Sequence, residues 1–297
     1  AFARQRHPEL TFRVLSCGYG PKQTQPTEAA LSGVENVILD FKYLQSERLT
    51  YYFDHHKTAF PTPEDRADFD AKARSEPDRF VYEADATSCT LLLQRVLTEK
   101  HGVDLSAFSE LVQWADWVDS ARFPSAAAAT DSSNPVLQLV SIVEQFGDDA
   151  LFQKLVPRLV DEGLLSVAKS PLVVEKYKAI APDHDAYRKL VVEKGEMRGR
   201  VVYLDLTGHR VRAVTKFAAY ASFPDSTYSV IVSELSSGVK IAVGHNPWSG
   251  RPREHDISAI CARYGGGGHP VVGGIALPKG EAERGREIAR TIAEELA

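Results

Sequence analysis

The chain has 297 residues, of which 43% are hydrophobic and 25% charged, and a formal net charge of −5 at pH 7. This length suits about two domains, and the composition is ordinary for a globular protein. The mild acidity argues against a long basic groove for duplex nucleic acid, which would need clustered Lys and Arg.

The cysteines and the apolar runs indicate where the protein works. Cys17, Cys89 and Cys261 lie far apart and match neither a disulfide framework nor zinc-ligand spacing. No apolar run approaches the roughly 18 residues of a membrane helix, and no signal-peptide pattern opens the chain. We therefore expect a cytoplasmic protein without a membrane partner, and the sequence leaves its oligomeric state open.

The first residues of the chain resemble the middle of a secondary-structure element. It begins with Ala1, and residues 2–6 look like the second half of a helix that ends before Pro8. We therefore expect that preceding residues are missing from it. Residues 11–17 then predict a strand, and residues 18–26 predict a loop.

Two predicted strands each end in an acid. Residues 36–40 form a short apolar run that closes with Asp40, the pattern of a strand buried on both faces. Residues 49–53 form a second such run, followed by Asp54, His55 and His56. Ligands of open parallel sheets bind at the carboxyl ends of strands. Asp40 could instead cap a helix, and Asp54, His55 and His56 could form a polar turn after a strand.

The middle of the chain is predicted to be mostly helical. Residues 61–80 predict a loop and a solvated surface helix, so Asp68 and Asp70 are not expected to bind metal. A helix over 108–123 carries Asp116 and Asp119 on one face, either exposed or aimed into a site. Further helices are predicted over 86–98 and over 136–195, the latter broken by prolines at Pro157, Pro171 and Pro182.

A second pattern begins near residue 199 and predicts a mixed α/β domain. Its predicted strands cover 200–206, 229–235, 239–243 and 271–277, and its predicted helices cover 211–222, 256–264 and a final segment through Ile288, Ile292 and Leu296.

A run of four glycines, residues 265–268, precedes His269 in this second region. Glycines let backbone N–H groups turn toward an anion, so the run favours a concave loop for phosphate or carboxylate. A helix end and turn would explain one or two of these glycines. Arg251, Arg253 and Arg263 flank the run and could add hydrogen bonds to phosphate.

The acids and histidines at the strand ends and the glycine run before His269 together indicate metal-assisted phosphoester hydrolysis. Carboxylates and imidazoles without thiolates suit Mn²⁺, with Mg²⁺ as a second choice. Paired metal ions lower the pKa of a water molecule and stabilise the attacked phosphoryl oxygens.

The order of these motifs closely resembles the DHH–DHHA1 phosphoesterases, the superfamily of RecJ-like enzymes and of nanoRNases with pAp phosphatase activity. The resemblance rests on Asp40, on the triplet Asp54-His55-His56, and on residues 265–269 near the other end of the chain. It implies an α/β fold: an N-terminal DHH domain with a parallel sheet flanked by helices, and a smaller DHHA1 domain with a mixed sheet. The implied domains are 1–165 and 196–297, joined by a helical linker over 166–195.

The resemblance also implies roles for individual residues. Asp40 would bridge two Mn²⁺ ions, His55 would bind one of them, and Asp116 would supply the acid of the fourth motif, with Asp119 as its substitute. Asp54 and His56 would complete the catalytic triplet, and His56 would also face the substrate phosphate. The residues implied to bind the phosphate end of the substrate are Arg263, Gly266, Gly267, Gly268 and His269.

One family motif has no counterpart in the sequence. The first motif, a His and two Asp residues after the first strand, is expected to lie upstream of Ala1. With it, the chain would be a Mn²⁺-dependent phosphodiesterase of small phosphorylated nucleotides or short single-stranded oligonucleotides. The alternative is a degenerate family member that binds nucleic acid or protein without hydrolysis. The natural substrate and the direction of cleavage stay open.

Overall fold

The computed structural model describes residue 3 and residues 8–18, 25–209, 211–215 and 217–297. The chain divides into two compact units, the first comprising Ala1–Arg122 with Ile142–Ser170 and the second Phe123–Ser141 with Pro171–Ala297. Residues 171–194, within the predicted linker, form a long helix that belongs to the second unit.

The first unit contains a parallel sheet of strand order β1-β2-β3. Its strands are β1 (Val37–Leu39), β2 (Tyr51–Asp54) and β3 (Phe80–Tyr82). Leu39 pairs with Phe53, and Asp54 pairs with Tyr82. The predictions of β1 and β2 are confirmed. The sequence missed β3 because a three-residue strand follows a long polar stretch and has no period of its own.

Both faces of β2 are buried, which explains its continuous apolar run. The prediction that β1 is also buried on both faces is wrong, because Val37 and Leu39 are each 48% exposed and only Ile38 is buried. On one face, Tyr52 packs with Tyr43, Phe69 and Phe80. On the other, Tyr51 and Phe53 pack against a helix that contributes Cys89, Leu92 and Val96. The helices in this unit are α1 (Pro63–Ser75), α2 (Cys89–His101), α3 (Ser109–Ser120), α6 (Asp149–Glu162) and α7 (Leu164–Ala168).

Local signals set the ends of the helices beside this sheet. Thr62 and Asp65 form a capping box at the start of α1, and Ser88 caps α2 by accepting a hydrogen bond from the Leu91 N–H. Gly102, at a φ of +64°, ends α2 in the left-handed conformation that glycine adopts at little cost.

The second unit contains a mixed sheet of order β4-β5-β6-β7-β9-β8, as the sequence predicts for this region. The pair β5 and β6 is parallel, and the other neighbours are antiparallel. The strands are β4 (Gly195–Arg198), β5 (Val201–Leu206), β6 (Tyr228–Leu235), β7 (Gly238–His245), β8 (Gly267–His269) and β9 (Val272–Leu277).

Helices cover both faces of this second sheet. The remaining helices are α4 (Ala126–Ala129), α5 (Pro135–Phe146), α8 (Pro171–Lys194), α9 (Ala218–Ser222), α10 (Ile257–Ala262) and α11 (Ala282–Leu296). On one face of the sheet α10 and α11 pack against alternate residues of the strands, and on the other α8 and α9 pack against Val202, Leu204 and Leu206. None of the described helices combines the length and the apolar character needed to cross a membrane.

Two predicted elements are wrong. Residues 11–17 form no strand, because side chains of α6 take up hydrogen-bonding groups of their backbone. The Ser16 N–H donates to Asp149, and the Val14 carbonyl accepts from Gln153. In the segment predicted as a helix over 211–222, the described residues are helical only at Ala218–Ser222. Apart from residue 3, the predicted helix end at residues 2–6 lies outside the described residues, as does much of the predicted loop over 18–26.

The predicted helix breaks at two prolines are also wrong. Pro157 lies inside α6 and Pro182 inside α8, whereas α8 does begin at Pro171. Each internal proline removes one backbone hydrogen bond. The buried apolar residues of α6, Leu151 and Leu155, provide packing that offsets this loss.

Candidate metal centre

Parallel pairing of β1 with β2 brings two acids and two imidazoles to one edge of the first sheet. The Asp40 N–H donates to the Phe53 carbonyl at 2.9 Å, so Asp40 directly follows the ladder that leads to Asp54. Asp40, Asp54, His55 and His56 each offer one ligand atom, and these atoms lie within 4.8 Å of one another. The strand ends therefore meet as the sequence predicts.

Asp40 holds its position in an unusual backbone conformation. Its φ of +57° lies in the left-handed region. Asp and Asn enter this region more readily than other side chains, although the conformation still has a cost. This turn directly follows β1 and leaves the Asp40 carboxylate half exposed, 3.3 Å from His55 Nε2.

Asp54 is fully buried and accepts hydrogen bonds with both of its oxygens. Oδ2 accepts from the Tyr52 hydroxyl at 2.9 Å. Oδ1 accepts from the backbone N–H groups of His55 and His56, at 2.7 and 3.1 Å, and lies 2.7 Å from His56 Nδ1. Burial raises the pKa of Asp54, but the hydrogen bonds from His56 and Tyr52 lower it by more. The net pKa of Asp54 therefore falls below its ordinary value. The ionised Asp54 carboxylate therefore organises the turn.

The two ring nitrogens of His55 have different surroundings. Nδ1 lies 2.9 Å from the Ala86 carbonyl oxygen, to which it can only donate. Nε2 is buried and makes no hydrogen bond with the described residues. The nearest charged atoms are carboxylate oxygens of Asp119 at 3.2 Å and Asp40 at 3.3 Å. A buried ring nitrogen thus faces two carboxylates from different elements.

This surrounding charge controls the protonation of His55. The carboxylates of Asp119 and Asp40 raise the pKa of His55 to about 10, against the opposing effect of burial. In the metal-free protein a proton therefore occupies the position between the carboxylates, where a cation would compete with it.

The two acids of α3 lie in different surroundings. Asp119 lies beside His55 Nε2 and is partly exposed. Asp116 is buried, and its Oδ1 accepts hydrogen bonds from Thr87 Oγ1 at 2.5 Å and Ser88 Oγ at 2.9 Å. The metal role that the sequence assigns to Asp116 stays a prediction, while the geometry brings Asp119, its substitute, to the cluster.

His56 is held on one side and open on the other. Its Nδ1 contacts Asp54 at 2.7 Å, and Asp40 Oδ1 is more distant at 3.6 Å. The Asp54 carboxylate raises the pKa of His56 above its ordinary value. Its side chain is 38% exposed, so the ring remains within reach of a ligand.

The donor set fits a divalent cation. It combines one imidazole nitrogen, whose ring is fixed by the Ala86 carbonyl, with carboxylate oxygens. Cys89 adds no thiolate, since its Sγ contacts the Phe53 carbonyl at 3.3 Å. The strongest sign is His55 Nε2, a buried nitrogen that makes no well-aligned hydrogen bond with the described residues and faces the carboxylates of Asp119 and Asp40. The sequence missed the Ala86 carbonyl, although Thr87 and Ser88 before an apolar helix mark the start of α2.

The glycine run of the second unit adopts a different form from the predicted loop. Gly267–His269 form the edge strand β8, which pairs with β9 so that His269 lies opposite Val272. A Cβ on Gly266 would lie 2.2 Å from the Gly274 carbonyl oxygen, and one on Gly268 would lie 2.3 Å from the Val272 carbonyl oxygen. Close backbone packing therefore explains part of the run, and glycine's low strand propensity hid the strand.

The other residues predicted to bind substrate have different surroundings. His269 is exposed on β8, and Gly267 has open space where a Cβ would lie. Arg263 is ion-paired with Glu295 of α11. The predicted roles of these residues in substrate binding stay predictions.

The fold is similar to that of solved structures. The pGpG-specific phosphodiesterase PggH from Vibrio cholerae aligns with a TM-score of 0.65 and 20% identity, covering 88% of this chain and 84% of that protein. An exopolyphosphatase-related protein from Bacteroides fragilis aligns with a TM-score of 0.44 and 13% identity, covering 90% and 74%. Neither a scan against family models nor a search of curated protein sequences finds a match. The likeness to PggH shows a shared α/β fold.

Proposed function

We propose that this chain is a divalent-metal-dependent phosphodiesterase of the DHH type that hydrolyses small nucleotides. The observation that carries the proposal is the buried Nε2 of His55, which has no hydrogen-bond partner among the described residues and faces carboxylates 3.2 and 3.3 Å away. The fold shared with PggH supports the reaction class.

The proposed metal ligands are Asp40, His55 and Asp119. His55 would offer the lone pair of Nε2, since Nδ1 is tied to Ala86, and the acids would offer carboxylate oxygens. Mn²⁺ suits this mixture best, and Mg²⁺ is the second choice. When bound, such cations lower the pKa of a water molecule and stabilise negative charge on phosphoryl oxygens.

The protein's own residues would orient the phosphodiester. Asp54 holds the His56 ring through Nδ1, which leaves His56 Nε2 for the substrate. Asp54 also raises the pKa of His56, which favours the protonated ring, and an Nε2–H of that ring could donate to a phosphate oxygen or to the leaving oxygen. Asp54 itself would act by orientation, because its oxygens already accept these hydrogen bonds.

We propose a linear dinucleotide of the pGpG class as the first substrate to test. His269 would bind its phosphate end from β8, and Gly266, Gly267 and Gly268 would let the backbone approach the ligand. We leave Arg263 out of this set because it is paired with Glu295.

The test is Mn²⁺-dependent hydrolysis of pGpG by the purified chain, followed by chromatography of the products. pApA, pAp and cyclic di-GMP serve as competing substrates, and Asp40→Asn is the matched variant because Asn also tolerates a positive φ. We expect turnover in the wild type and a loss of about 100-fold or more in Asp40→Asn. Absence of hydrolysis of every substrate at saturating Mn²⁺ would overturn the proposal and favour a binding protein without activity.

A further inference from the structure

The structure also contains a buried acid, Asp116, that is near the candidate metal centre but is not one of the proposed metal ligands. We propose that Asp116 is a positioning residue, which holds the Ala86 carbonyl against His55 and so aims Nε2 at the metal. This inference rests on the proposed function for its purpose. Its geometry, however, stands independently of any substrate.

The contacts form a short chain between two elements. Asp116 Oδ1, on α3, accepts from the hydroxyls of Thr87 and Ser88, at 2.5 and 2.9 Å. These two residues directly follow Ala86, whose carbonyl oxygen lies 2.9 Å from His55 Nδ1. One buried carboxylate thus anchors the segment that carries the acceptor for His55.

The segment is also fixed on its other sides. The Ala86 N–H donates to the Glu83 carbonyl at 3.1 Å. The Ser88 hydroxyl, while donating to Asp116, accepts from the Leu91 N–H at 3.2 Å as the cap of α2. The Ala86 carbonyl therefore has little freedom as long as both hydroxyls remain bound to Asp116.

This acceptor matters because an imidazole ligand is set by its other nitrogen. A carbonyl bound to Nδ1–H fixes both the ring orientation and the tautomer that leaves Nε2 free to bind a cation. If the Ala86 carbonyl moved, His55 would lose this restraint while retaining its fold position in the turn after β2.

The alternative, that Asp116 itself binds metal, fits the contacts less well. Its Oδ1 already accepts two hydroxyl hydrogen bonds from Thr87 and Ser88. Asp119, one turn further along α3, has an oxygen 3.2 Å from His55 Nε2. The two acids of this helix thus divide the work of positioning and binding.

The test compares Asp116→Asn, Asp116→Ala and Thr87→Val with the wild type. An Asn oxygen still accepts hydroxyl hydrogen bonds, Ala accepts none, and Val keeps the shape of Thr without its donor. Mn²⁺ affinity is measured by titration calorimetry. The exchange-protected Nδ1–H proton of His55, assigned by its loss in His55→Gln, is followed by NMR in the metal-free protein.

We expect Mn²⁺ affinity to fall about 10- to 100-fold in Asp116→Ala and in the same direction in Thr87→Val, with loss of the protected Nδ1–H resonance. Asp116→Asn should keep the resonance and stay within about threefold of the wild-type affinity, since it retains the acceptor. Circular dichroism checks folding. If Asp116→Ala does not fold, Thr87→Val and Asp116→Asn still decide the question.

Two results would overturn the inference. One is an Asp116→Asn variant that loses Mn²⁺ as severely as Asp40→Asn while the His55 resonance persists, which would make Asp116 a direct ligand. The other is an unchanged resonance and affinity in Thr87→Val. Failure of the proposed hydrolysis would appear separately, as a wild type with a protected Nδ1–H but no turnover.

Discussion

The carboxyl edge of the first sheet and strand β8 of the second are built by opposite means. At the first, side chains of Asp54, His55 and His56 fix one another through hydrogen bonds, and charge decides their protonation. At the second, Gly266 and Gly268 fit because they have no side chain. The first region should therefore respond to loss of a functional group and to pH, and the second to the addition of a single methyl group.

The largest expected effect comes from removing the His55 ring. His55→Ala should weaken Mn²⁺ binding by more than about 100-fold, because it removes the nitrogen donor that lies between the carboxylates of Asp40 and Asp119. Titration calorimetry measures the affinity, and His269→Ala is the control on the other region. That control should keep metal affinity while raising the KM for pGpG.

The contrast would fail in two ways. Unchanged Mn²⁺ affinity in His55→Ala would refute the metal assignment. Loss of Mn²⁺ binding in His269→Ala would show that the two regions do not divide metal and substrate between them.

The next effect is a pH dependence confined to the first region. His55, with a pKa of about 10 against an ordinary value of 6.5, is protonated at neutral pH in the metal-free protein. Binding a cation must expel this proton, so apparent Mn²⁺ affinity should rise by up to about tenfold per pH unit between pH 6 and 8. Calorimetry in buffers of different ionisation enthalpy should detect about one proton released.

The same pKa fixes the sign of the stability effect. Because the folded-state pKa lies above the unfolded value, the stabilisation of the metal-free protein is complete below pH 6.5 and is lost as pH rises toward 10. His55→Gln should abolish this part of the pH dependence. Proton release and a pH slope that persist in His55→Gln would assign the titration to another group.

The two regions also differ in how much of each can be predicted from the sequence. Strand ends that carry Asp40 and Asp54 can be predicted, since apolar runs mark buried strands and parallel strands share an edge. The choice between Asp116 and Asp119 cannot, because both lie on one face of α3. Tertiary contacts separate them: Thr87 and Ser88 donate to Asp116, whereas Asp119 lies beside His55 Nε2.

The form of the glycine run was beyond sequence reasoning. Glycines are typical of turns, and nothing local shows that Gly267 pairs with Gly274, which lies on a later strand. The same holds for β3 and for the segment over 11–17, whose backbone is hydrogen-bonded to α6 side chains more than 130 residues away. Nonlocal backbone hydrogen bonds decide these elements, and they leave no periodic signal.

The smallest effects would test whether β8 has a function beyond packing. Gly266→Ala should destabilise the protein by about 1–3 kcal/mol, because its Cβ would lie 2.2 Å from the Gly274 carbonyl oxygen. Gly267→Ala meets no atom within 4 Å and should change the free energy of unfolding by less than about 0.5 kcal/mol, as measured by urea denaturation. A raised KM for pGpG in Gly267→Ala at unchanged stability would therefore report on ligand approach alone. Equal stability losses in the two variants would contradict the packing described for this strand, and an unchanged KM in Gly267→Ala would remove that glycine from the proposed substrate contacts.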